Sequence, residues 1–184
     1  MGTDMMVDDI ARVYFTEEEL KEKVKELGRE LSREYAGKHP IFVSVLKGSF
    51  VFMADLMREV DIYCDVDFMT VSSYGRGTTT TGAVKIIKDL SYNIEGRHLI
   101  IIEDILDSGI TLSYLKNYLN IRNPASIKIC TLLDKPARRK ADIMADYVGF
   151  ICPDEFIVGY GLDYDEKYRN LPYIGVLKPE VYTK

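Results

Sequence analysis

Two hydrophobic rhythms alternate along the chain. Continuous branched apolar runs, the pattern of strands buried on both faces, occupy 41–46, the stretch starting at Leu99, and 126–133. Similar short runs at 65–71 and 147–152 read as further strands, and 84–88 as a returning one, while 153–155 turns the chain into the stretch 156–160. Between them the spacing turns helical. Thr16-Glu17-Glu18-Glu19 is a capping box that opens a helix carrying Leu20, Val24, Leu27 and Leu31 on one stripe. The segments 50–60 and 112–119 also read as helices, each preceded by a strand and a glycine turn. Strands alternating with helices predict an α/β fold, a mainly parallel central sheet flanked by helices, whose ligands bind beyond the carboxyl ends of the strands. At 184 residues without repeats or linkers, residues 1–184 are expected to form one domain.

Composition narrows the class without naming it. Hydrophobic residues make up 47% and charged residues 29%, the balance of a soluble globular protein. Net charge is −5 with the signs interspersed, which argues against a nucleic-acid partner. Cys64, Cys130 and Cys152 are isolated in apolar segments, so neither a zinc site nor a disulfide framework is suggested. With no secretory leader at the N-terminus and no run long enough to span a bilayer, a cytoplasmic protein is expected.

Chemistry concentrates after the central run. Glu103 and Asp104 stand at the end of that strand, followed by Asp107, Ser108, Gly109 and Thr111 ahead of the next helix. A hydroxyl- and glycine-containing loop entering a helix N-terminus presents backbone N–H groups to an anion. The acids would then accept hydrogen bonds from sugar hydroxyls, or hold Mg²⁺. The plainer reading, a helix cap by Asp107 or Ser108, explains single residues but not a buried strand ending in adjacent acids. Elsewhere, the segment 72–82, rich in Ser, Thr and Gly, is too long for a mere connection and is either a functional lid or an inert hairpin tip. His39 and His98 each precede a strand and read as surface or edge residues. No Gly-x-x-x-x-Gly-Lys-Ser/Thr loop occurs, and no Gly-x-Gly-x-x-Gly follows a strand.

The string 99–111 closely resembles the 5-phosphoribosyl-1-pyrophosphate (PRPP) signature of the type I phosphoribosyltransferases. Leu46-Lys47-Gly48, Ser73-Tyr74, Leu133-Asp134-Lys135 and the stretch 156–169 then stand in the order and spacing of the bacterial hypoxanthine-guanine members, a match covering nearly the whole chain from Phe15 onward. The resemblance implies the type I fold, with a flexible hairpin lid and a small hood from the terminal segments. It implies transfer of the phosphoribosyl group from PRPP to hypoxanthine or guanine, with Mg²⁺, in a homodimer or homotetramer.

Residue by residue, the same resemblance implies that Glu103 and Asp104 hold the ribose hydroxyls, partly through Mg²⁺. Asp107, Ser108, Gly109, Ile110 and Thr111 would wrap the 5′-phosphate, with Asp107 also the catalytic acid or base. Lys47, Gly48, Ser73, Tyr74 and Arg169 would hold the pyrophosphate. Lys135 would recognise the purine 6-oxo group, Phe156 would stack on the base and the Ile157 backbone would read its edge. Asp163 would be a base-side acid that helps place the metal. Ser49, Ser108 and Ile157 depart slightly from the usual pattern. Two rivals remain: a nucleotide-sensing RNA regulator on the same fold, and a non-catalytic PRPP-binding module.

Overall fold

Nine strands among the described residues form two sheets. The structure, a computed structural model, describes residues 6–73 and 84–183, with the side chain of Ser73 left out. The larger sheet has six strands: β2 (Ile41–Leu46), β3 (Asp65–Ser73), β4 (Val84–Lys88), β5 (His98–Leu106), β6 (Ser126–Asp134) and β7 (Tyr147–Ile151). Their spatial order is β4-β3-β2-β5-β6-β7, parallel throughout except for the β3–β4 pair. The expected mainly parallel sheet is therefore present, with β5 near its middle.

Helices cover both faces. The capping box is formed: Thr16 Oγ1 accepts from Glu19 N–H at 3.2 Å and Glu19 returns the bond to Thr16 N–H at 2.8 Å. It starts α1 (Glu17–Glu34), whose Leu20, Val24, Leu27 and Leu31 are buried as the stripe predicts. Together with Phe52, Met53 and Leu56 of α2 (Phe50–Glu59) they pack on Ile100 and Ile102. On the opposite face α3 (Ile110–Asn120) sets Leu112, Leu115 and Leu119 against Leu99 and Ile101. Successive residues of β5 point to opposite faces, and both faces are roofed, so the run must be continuously apolar.

Asp67 is the buried charge that fastens the edge hairpin. Its carboxylate accepts from the N–H groups of Phe68 (2.8 Å), Ser91 (2.6 Å) and Tyr92 (3.3 Å), and from Lys88 Nζ (3.3 Å). Burial alone would raise its pKa, but these donors outweigh burial and hold it below the usual aspartate value.

The second sheet is a three-stranded hood built from both ends of the chain. β1 (Ile10–Phe15), β9 (Ile174–Leu177) and β8 (Ile157–Val158) lie antiparallel in the order β1-β9-β8. β1 and β9 are too short and irregular in pattern to stand out in the sequence, and pairing with each other is what defines them. Arg12 of β1 grips Glu155 with two bonds of 2.7 Å, which anchors the residue just before Phe156. The final turn, α4 (Pro179–Tyr182), returns Tyr182 to stack on Phe156, ring centroids 4.7 Å apart.

Candidate active site

The site forms where β2, β5 and β6 end and the hood folds over them. Lys47-Gly48-Ser49 turns β2 into α2, and the Leu46–Lys47 peptide is cis. Ser49 is buried, donating to Val45 O at 2.7 Å and sharing a 2.7 Å bond with Ser44 Oγ. Gly48 touches two other segments at once. A Cβ built on it would lie 1.9 Å from Asp104 Oδ2, and one built on Gly161 would lie 2.1 Å from the Gly48 carbonyl oxygen. Glycine is required at 161, where a methyl would meet backbone and φ is +100°; at 48 a methyl would instead push the Asp104 carboxylate aside.

Glu103 and Asp104 lie inside β5, which runs on to Leu106, rather than past its end. Glu103 is buried, and burial first, then the neighbouring Asp104, pushes its carboxyl well above the ordinary value. Burial likewise pushes Asp104 from 3.8 up to about 6, opposed by the Ile105 N–H and by Arg169. Among the described residues neither acid has a cationic side chain within ion-pair distance. Nor do three or more acid, histidine or cysteine side chains gather as a ready-made metal cage there. Asp163 instead pairs with Arg169 at 3.0 Å and accepts the Glu166 N–H at 2.9 Å. Two adjacent carboxylates that disfavour each other's charge, all hard oxygen donors, nonetheless fit Mg²⁺, which takes one or two carboxylates and completes its shell with water and substrate oxygens.

The loop after β5 is held from behind by Arg139. Its guanidinium donates to the carbonyls of Leu106 (3.2 Å), Asp107 (3.0 Å) and Ile143 (2.6 Å), and it pairs with Asp134. Neither Asp107 nor Ser108 occupies the N-cap of α3: Gly109 does, at φ +76°, and the side-chain bond to the first turn is a long one, from the Ile110 N–H to Ser108 Oγ at 3.5 Å. A hollow of about 110 Å³ opens there, lined by Glu103, Asp107, Ser108, Gly109 and Thr111. Ile110 is partly exposed on the first turn.

A second hollow of about 350 Å³ adjoins the first. Lys135, Phe156, Ile157 and Asp163 all line it, and Asp107 lines both hollows. Lys135 is only 4% exposed, against the expectation for a lone lysine at a strand end. Its Nζ donates to Glu155 O at 2.8 Å and lies 3.5 Å from Asp154. Phe156 is 38% exposed, so it is not a core residue. Asp107 Oδ1 is buried without a hydrogen bond, its nearest cation being Arg138 Nε at 3.4 Å.

At the other end of the cleft, Lys47 pairs with Glu166 at 3.0 Å, and Arg169 donates to Gly161 O at 2.8 Å. Tyr74 and the rest of the 72–82 segment beyond Ser73 lie outside the described residues. Sequence reasoning passed over Arg138 and Tyr182, which also line the larger hollow, and Glu166. Arg138 signals itself only by following Lys135 at close range; Tyr182 gives no signal short of the hood's pairing. A still larger concavity, about 950 Å³, lies at the amino ends of β2 and β3 between Gly37, His39 and Tyr63, and none of the candidate residues reaches it.

A buried strand with paired acids, a phosphate-sized loop at a helix start and an adjoining base-sized hollow on this fold define a phosphoribosyltransferase, and residues 14–165 match the phosphoribosyl transferase domain family. The chain is 61% identical over 178 residues to hypoxanthine-guanine phosphoribosyltransferase of Bacillus subtilis (strain 168), covering 97% of this chain and 99% of that protein. A hypoxanthine phosphoribosyltransferase from Staphylococcus aureus superposes with a TM-score of 0.95 at 53% identity, covering 100% of both chains. The bifunctional protein TilS/HprT of Listeria monocytogenes serotype 4b (strain F2365) is 58% identical over 183 residues; there the chain spans 28% of the relative's length. The chain belongs to the hypoxanthine-guanine branch of the phosphoribosyltransferase family. Among the described residues no helix is long and apolar enough to cross a membrane.

Proposed function

We propose that the protein transfers the 5-phosphoribosyl group of PRPP to N9 of hypoxanthine or guanine, giving IMP or GMP and pyrophosphate. The observation that carries this reading is the pair of adjoining hollows that share Asp107, one lined by the loop 107–111 and the other by Lys135, Phe156, Ile157 and Asp163. The smaller receives the 5′-phosphate on the first-turn N–H groups of α3 and the hydroxyls of Ser108 and Thr111. The larger receives the purine against Phe156, its 6-oxo group accepting from Lys135 and its edge meeting the Ile157 backbone.

In the reaction the ribose C1′–oxygen bond to pyrophosphate breaks and the C1′–N9 bond forms. Positive charge develops on the ribose ring, so catalysis consists of positioning the base and stabilising the leaving group. Asp107, with an oxygen buried and free of hydrogen bonds, accepts the proton that leaves purine N7. Lys47 and Arg169 neutralise the departing pyrophosphate, with backbone N–H groups of the 47–48 turn. Glu103 and Asp104 orient the ribose hydroxyls. Glu103 and Asp104, with Asp163 nearby, would hold Mg²⁺, which would supply charge neutralisation at the pyrophosphate.

The test is to mix the protein with PRPP, Mg²⁺ and each purine and to follow nucleotide formation. Hypoxanthine and guanine should react. Adenine should be rejected by at least ~10²-fold in kcat/KM, because its 6-amino group faces the Lys135 ammonium donor to donor. Binding of nucleotide without turnover would favour a regulator or a passive PRPP-binding module. Comparable rates with adenine would refute the base-site assignment while leaving the phosphate site standing.

A further inference from the structure

Lys47 and Arg169 come from opposite halves of the chain, yet one carboxylate oxygen engages both. Glu166 Oε2 lies 3.0 Å from Lys47 Nζ and 3.4 Å from the Arg169 guanidinium. An oxygen bridging two cations is the arrangement that a bound pyrophosphate oxygen would make between the same groups. The position of Glu166 is built by the backbone rather than by side-chain reach. Its N–H donates to Asp163 Oδ2 at 2.9 Å, and Tyr164 and Lys167 bond to each other across the turn at 3.0 and 3.3 Å. Asp165 and Glu166 both take left-handed φ values, +53° and +62°. Such a conformation is disfavoured for these residues and persists only where its surroundings enforce it.

The functional reading above assigns Lys47 and Arg169 to the pyrophosphate; resting on it, we propose that Glu166 is a resident stand-in for the leaving group. In the free protein it bridges the two cations through one carboxylate oxygen. PRPP displaces it, and it reclaims both cations as pyrophosphate departs. Arg169 does not depend on it for placement, because Asp163 and the Gly161 carbonyl hold the guanidinium independently. Lys47, exposed and with Glu166 as its ion-pair partner among the described residues, feels the competition most.

The inference has a definite sign. Removing a residue that merely supported the site would weaken pyrophosphate binding, whereas removing a competitor must strengthen it. Both pairs are exposed, so the gain is modest, about threefold to tenfold. Glu166→Gln and Glu166→Ala would be compared with the wild-type protein by titrating pyrophosphate with Mg²⁺ in a calorimeter and by product inhibition against PRPP. The expected result is tighter pyrophosphate binding by that factor, a lower KM for PRPP and an unchanged KM for hypoxanthine. Unchanged or weaker pyrophosphate binding in both variants would overturn the proposal. Failure of the functional reading would look different: the wild-type protein itself would make no nucleotide, while the calorimetric comparison would still report on Glu166.

Discussion

Gly48→Ala separates fold from chemistry more sharply than any other single change. The added Cβ would sit 1.9 Å from Asp104 Oδ2, where real contacts stay beyond 3.0 Å, so the carboxylate must retreat by about 1 Å. Nothing else about the turn forbids alanine, because Gly48 is absent from the positive-φ positions. The strain is relieved at the tip of one side chain, and the melting temperature should move by less than about 3 °C. Activity should not escape so lightly. A displacement of about 1 Å in a group that orients the ribose is expected to cost about 10²-fold in kcat/KM for PRPP. Gly161→Ala makes the control. There the clash is with the backbone oxygen of Gly48 at 2.1 Å, at φ +100°, and the variant should lose about 2 kcal/mol of stability or more. Initial rates across PRPP concentrations, alongside thermal melts of both variants, decide the matter. A Gly48→Ala enzyme within threefold of wild-type kcat/KM would refute the reasoning and with it the role given to Asp104.

Two further outcomes follow from groups described above. Asp107→Asn keeps the size of the side chain but cannot accept the N7 proton, so kcat should fall by ~10²-fold or more while PRPP binding persists; unchanged single-turnover rates would remove Asp107 from the chemistry. Asp67→Asn loses the charge that gathers four donors and should cost about 2 kcal/mol, or roughly 4–8 °C of melting temperature at neutral pH. The folded pKa of Asp67 lies below its ordinary 3.8, so this stabilisation is complete above that value and is lost as pH falls through the lower folded one. The gap between wild-type and variant should accordingly close in acid, and a gap that persists at pH 2 would refute the assignment.

The strands were legible wherever both faces of the sheet are roofed, because a doubly buried strand has no freedom to be polar: β2 spans 41–46 as read, and β6 exceeds its reading by one residue. The hood was not legible from pattern. Ile10–Phe15 has three exposed residues among its six, and β8 has only two residues, so neither carries a periodicity. At the site, the acids and the loop 107–111 announced themselves because polar residues at the end of a buried strand need a reason. Phe156 and Lys135 did not, since a phenylalanine is ordinarily core and a strand-end lysine ordinarily solvated; resemblance alone singled them out. Their burial, 38% exposed for the first and 4% for the second, inverts both defaults. Glu166 was hidden for another reason. A turn of charged residues reads as solvent-facing surface, and only the fold brings it back to Lys47.

The hood's pairing of β1 with β9 has a consequence for synthesis. Phe156 and Ile157 rest on a sheet whose middle strand, β9, is made after the loop 107–111 and whose outer strand, β1, is made before it. A chain emerging from the ribosome completes β2, β5 and β6, and with them the loop 107–111, while β9 is still untranslated. Ile10–Phe15 meanwhile waits without its neighbour, an unpaired edge until residues 174–177 are made. The two halves of the cleft are thus separated in time as well as in sequence, the phosphate side able to mature on the nascent chain before residues 174–177, which complete the base side, have been added.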